Sequence, residues 1–137
     1  MLRKPIAVLL LILTSACSLF SHEAPPEDVD KAAGLFFQRF KGAEYENIYK
    51  DSAKGLHSTK SGSEVVDNLT QVAAAGKLLV FARMGTYFQG EGKDRMAVTT
   101  YLTNFEKGRG ELKLYFADES GEWKLNGFEY KVKGAGG

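Results

Sequence analysis

An α+β domain, with helices leading into a four-stranded antiparallel sheet, follows from three features of the sequence. Up to Gly76 apolar residues recur every three or four positions. From Leu78 onward the period changes to two. Three short connections that carry glycine, GEGKD, EKGRG and ADESG, then cut the second half into strand-length pieces. Helices of this kind bury their stripes against one face of the sheet.

The elements follow in order. Pro25, Pro26, Glu27 and Asp28 form a helix entry, with proline in the first turn and acids at the positive end of the dipole. Val29, Ala32, Ala33, Phe36, Phe37 and Phe40 then line one face, and Gly42 ends the run. Tyr45, Ile48, Tyr49 and Leu56 predict a second, shorter helix ending near Gly55. Ser61-Gly62-Ser63-Glu64 is a capping box ahead of a third helix with the stripe Val65, Val66, Leu69, Val72 and Ala73, stopped by Gly76. Strands are expected near 78–89, 95–106, 110–117 and 122–133, consecutive ones pairing as hairpins.

Composition removes several functions. The chain has 137 residues, and its 18 basic residues nearly balance 17 acidic ones, leaving no surplus of cations for a phosphate backbone, so nucleic acid is not an expected partner. One cysteine excludes a disulfide framework and a thiolate metal cluster, and two histidines, His22 and His57, leave little material for a zinc site; no metal or cofactor is expected. The glycines of Gly90-Glu91-Gly92 and Gly108-Arg109-Gly110 belong to turns rather than phosphate loops, because neither opens a helix after a strand.

The amino terminus reads as an export signal: Arg3 and Lys4, then the apolar run from Ile6 to Leu13. Eight residues of helix cover only about 12 Å, far short of the ~30 Å hydrocarbon core. Leu13-Thr14-Ser15-Ala16-Cys17 resembles the lipobox of bacterial lipoproteins, with Thr14 where leucine is usual and Leu13 one position further back. The resemblance implies cleavage before Cys17 and lipid on its sulfur and amino group, anchoring the chain to a membrane. At least two acyl chains make such an anchor stable. Ser18 in the next position implies, by the same resemblance, sorting to the outer membrane, facing the periplasm. The expected organisation is a leader over 1–16, a lipidated cysteine and polar tether over 17–27, a domain over 28–133 and a frayed tail over 134–137. His22 falls in the tether and reads as solvated.

The aromatic first helix, the segment Lys41-Gly42-Ala43-Glu44-Tyr45-Glu46-Asn47-Ile48-Tyr49, the third helix and the last strand Glu122-Trp123-Lys124-Leu125-Asn126-Gly127-Phe128 together resemble the nuclear transport factor 2-like superfamily. The resemblance implies a cystatin-like cone, a curved sheet wrapped around a long helix. It also implies either a ligand pocket in the cone or dimerisation through the outer sheet face.

A register in which Gln89 pairs with Asp94, Glu106 with Glu111 and Ala117 with Glu122 distributes the side chains between the two faces. Val80, Thr103, Leu114 and Leu125 then form one inner row, and Ala82, Tyr101, Phe116 and Trp123 the next. Asn126-Gly127 marks a β-bulge where the apolar parity of the last strand switches. This inner face holds no ionisable side chain, so it lacks the base that ketosteroid-isomerase-like members of the superfamily use. A small hydrolyase or isomerase is therefore the second reading. The first is a non-catalytic module for an apolar ligand or a protein partner. Candidate pocket residues are Phe36, Phe40, Tyr45, Tyr49, Tyr101, Phe116 and Trp123, with His57 near the mouth. The outer face offers Phe81, Arg83, Tyr87, Met96, Val98 and Leu102 as an expected interface for a second copy or an envelope protein.

Overall fold

Acidic residues cluster in the first turn of helix α1 (Glu27–Lys41) and Arg39 and Lys41 in its last, each matching the local end of the dipole. Its stripe of Val29, Ala33, Phe36, Phe37 and Phe40 is fully buried. The structure, a computed structural model, describes residues 23–133. The leader, Cys17 and the tail 134–137 lie outside the described residues.

The expected second helix is two short ones, α2 (Tyr45–Lys50) and α3 (Lys54–Thr59). Ser52 causes the break, its hydroxyl bonding back to the Tyr49 carbonyl, a local bond that competes with helical continuation. Ala53 is then extended, and its N–H donates to the Leu125 carbonyl at 2.8 Å, tying the break to the sheet. Helix α4 (Gly62–Ala73) begins with the complete capping box of Ser61 and Glu64.

Four strands follow in a meander, β1 (Leu78–Gln89), β2 (Met96–Phe105), β3 (Gly108–Glu119) and β4 (Glu122–Val132), paired antiparallel in the order β1-β2-β3-β4. A short 3₁₀ turn, Gly92–Asp94, sits between β1 and β2. The helices pack on one sheet face, and Phe37, Tyr101, Leu112, Leu114, Phe116, Trp123 and Leu125 belong to one core with α1, α2, α3 and α4. This is the α+β arrangement that the change of period announces.

The register differs from the expected one, for two reasons. First, both later hairpins have two-residue turns, so Phe105 faces Gly108 and Glu119 faces Glu122. Strand β3 is thereby longer at each end than 110–117, and Tyr101 faces Leu112 rather than Phe116. Ser120 and Gly121 both have positive φ, as the tight turn requires. Second, β1 is bulged between Leu78 and Val80 and again between Arg83 and Gly85. The alternation is therefore shifted by one between the two bulges, so Val80 and Ala82 point outward and Phe81 inward. The bulge expected at Asn126 is present, Phe116 facing Leu125 while Tyr115 faces Gly127.

Candidate functional site

The seven residues expected to line a pocket are brought together, but chiefly as packing. Phe36 touches Phe37, Phe40 and Phe128 at ring separations of 5.4, 6.0 and 6.4 Å. Phe40 meets Tyr45 and Phe105, and Tyr101 lies edge-on to Phe37 at 4.8 Å. Phe36, Phe116 and Trp123 border a void of only about 80 Å³. Phe40 and Tyr45 line a larger cleft of about 690 Å³, whose rim holds Lys41, Lys77 and backbone around Gly76. Tyr49 packs at the edge of the core, where it stacks on His57 at 4.2 Å and donates to the Lys60 carbonyl. His57 lies 2.7 Å from the Tyr49 carbonyl, so its Nε2 donates there and the ring acts as a clip between α2 and α3.

The inner face does hold ionisable groups. Strand β3 continues past Ala117, and the alternation Leu112, Leu114, Phe116 carries Asp118 to the helix side, 7% exposed. One carboxylate oxygen accepts the N–H of Ala24 at 3.0 Å, and the other accepts the N–H of Gly121 at 3.1 Å. Arg95 donates to the Ala24 carbonyl, and its guanidinium lies 4.8 Å over Phe88 and 5.3 Å over Trp123. The Trp123 indole N–H donates to the Pro25 carbonyl at 2.9 Å. Residues 23–26 are therefore the latched edge of the domain rather than the end of a tether, and Ala24 is 1% exposed. Both Asp118 oxygens hold backbone amides, which makes the carboxylate a structural clasp. The signal for it was present in the even positions of β3.

Arg83 and Phe81 also face the helices, which corrects their place in the expected interface. Phe81 stacks on Phe37 with rings 3.9 Å apart, and Arg83 forms an ion pair with Asp30 of α1. Burial raises the Tyr101 phenol above its ordinary value near 10, opposed by its bond to Thr99. The ionisable side chains Asp118 and Arg83 on this face are both engaged, Asp118 by backbone amides and Arg83 by Asp30.

On the outer face the apolar half is real but differently composed. Val80 and Ala82 of β1 join Tyr87, Met96, Val98 and Leu102. Val98 is sealed between its neighbours Tyr87 and Tyr115, while Val80 and Leu102 are 57% and 44% exposed. Val80, Ala82 and Leu102 floor a groove of about 420 Å³ that ends at Asn104, Arg109 and Lys133, near the turn between β2 and β3. Sequence reading missed Val80 and Ala82 because nothing in the alternation marks the bulges in β1. Among the described residues no group of three His, Cys, Asp or Glu could hold a metal ion, and no helix is long and apolar enough to cross a membrane. No protein-family model matches the chain, and no curated protein matches it.

Proposed function

We propose that this chain is a lipid-anchored protein of a bacterial envelope, attached through Cys17 and sorted to the outer membrane. In this reading its domain is a nuclear transport factor 2-like, non-catalytic module for a ligand or protein partner. The observation that carries the reading is the division between the two sheet faces. On the helix side the aromatic rings pack on one another and the buried acid is engaged, the clefts beside Phe40 and Tyr45 and beside Phe128 and Tyr130 being rimmed by polar groups, whereas the outer face exposes a concave groove floored by aliphatic side chains. Concave, mostly apolar sites with a few polar groups are where small ligands bind, and exposed apolar patches mark contacts. The lipobox-like run ending at Cys17 supports the anchor. With the latch starting at Glu23, only residues 18–22 separate the anchor from the domain, a reach of about 17 Å at ~3.5 Å per residue.

Two measurements test this. Metabolic labelling with a fatty acid should tag the parent, and Cys17→Ser should remove the label; a label that persists defeats the anchor. The double variant Val80→Lys and Leu102→Lys should keep its unfolding midpoint, since both side chains lie outside the core, yet lose whatever ligand or partner co-purifies with the parent. Retention of that species by the variant would defeat the outer-face assignment.

A further inference from the structure

We infer that the outer-face groove binds an amphipathic anion, specifically a free long-chain carboxylate. This rests on the reading of the outer face as the working surface and names what it takes. The floor offers three aliphatic side chains, Val80, Ala82 and Leu102, on neighbouring strands. At one end stand a guanidinium and an ammonium, Arg109 and Lys133, and no carboxylate lines the groove. Glu111 pairs with Lys133 at 3.2 Å from outside the lining. No carboxylate lies within ion-pair distance of Arg109 among the described residues. The groove therefore combines an apolar bed with one uncompensated positive charge at its end. A single acyl chain with a single anionic head complements that pattern, and a guanidinium suits a carboxylate through its paired N–H donors. A volume of about 420 Å³ lies within the range of small-ligand sites.

Position favours a dissolved ligand over a bilayer. The latch to Asp118 and Arg95 lies where β2 begins, and the groove ends at Asn104. Asn104 lies eight residues along the strand from Met96, about 26 Å at ~3.3 Å per residue. The chain therefore enters the domain at the end of the strands opposite the groove.

The test uses isothermal titration of decanoate, below its micellar concentration, into the mature chain carrying Cys17→Ser. Saturable one-to-one binding is expected, weaker by about tenfold for decanol, which lacks the charge. Arg109→Ala, an exposed end-group change, should weaken decanoate by about tenfold and leave decanol unchanged. Leu102→Glu should abolish both. Decanoate binding indifferent to Arg109→Ala and Leu102→Glu overturns the inference. So does flotation of the chain with anionic phospholipid vesicles in place of decanoate binding. If decanoate fails to bind but the chain dimerises and Leu102→Glu splits the dimer, the ligand assignment falls while the outer-face reading stands. If neither occurs, both fall.

Discussion

Replacing Asp118 by alanine should loosen the domain at its amino-terminal edge and lower its stability by about 2–4 kcal/mol. The figure is worked from the two amides that the carboxylate holds. The Ala24 N–H is buried, so removing its acceptor strands a donor away from water, costing roughly 1–3 kcal/mol. The Gly121 N–H sits in an outer turn where water can replace the carboxylate, and its loss adds about 1 kcal/mol. For a domain of this size a loss of ~3 kcal/mol lowers the melting temperature by on the order of 10–15 °C. Asp118→Asn keeps one oxygen acceptor but loses the charge, and should cost about half as much.

The assay is urea unfolding followed by the fluorescence of Trp123, the only tryptophan in the chain. Its indole donates to Pro25 within the same latch, so release of residues 23–26 should also redden the native emission before the main transition. An Asp118→Ala protein whose midpoint lies within ~0.5 kcal/mol of the parent, with unchanged native emission, would refute the clasp.

Two further outcomes follow from single contacts. Gly110 lies directly beneath the Tyr130 ring, so a methyl group there would overlap the ring and displace it from its edge contact with Phe105 at 5.8 Å. Gly110→Ala should cost about 1–3 kcal/mol in urea midpoint, and under ~0.5 kcal/mol when Tyr130 is already alanine; equal costs in the two backgrounds would rule out the overlap. Tyr101 is held above its ordinary value by burial, so above pH 10 the unfolded chain gives up this proton before the folded one does. Its contribution is intact below the ordinary value and declines as pH rises toward the raised one, so Tyr101→Phe should flatten the alkaline fall in stability. Superimposable pH profiles for parent and variant would exclude desolvation at Tyr101.

What was legible in the sequence was whatever depends on period. The stripe of α1, the Ser61–Glu64 box and the bulge at Asn126 are each written in a few adjacent residues, and each is found in place. What was illegible depends on geometry that alternation does not encode. A bulge leaves no compositional mark, and the one between Arg83 and Gly85 was enough to exchange Phe81 with Val80 and Ala82 between the faces, until the second bulge returns Leu78 to the core side. Asp118 was misplaced because ADESG reads as a turn, although only Ser120 and Gly121 actually turn. The pocket residues pose a different difficulty, since Phe40 and Tyr45 border a cleft while Phe36 and Tyr101 are held in ring contacts. Aromatic side chains that could line a cavity and those that fill one have the same spacing, and only their ring contacts tell them apart.

The two sheet faces divide stability from recognition. Strand β1 is held to α1 only as far as Arg83, by the stack of Phe81 on Phe37 and the ion pair with Asp30. Past the Met84 bulge, a hydroxyl bond from Thr86 to Thr99 and the ladder to β2 continue the attachment. An outward-facing side chain such as Val80 or Leu102 therefore contributes little to the core, and polar replacement there should leave folding almost unchanged. The core takes no part in the groove beyond backbone at Thr103 and Gly110, and that backbone is fixed by the Thr103 hydroxyl donating to the Gly110 carbonyl at 2.9 Å. The groove thus inherits a rigid floor from buried residues while its exposed side chains remain free to set what it binds. Its affinity should consequently respond to Leu102 and Arg109, and its shape to Thr103 and Gly110.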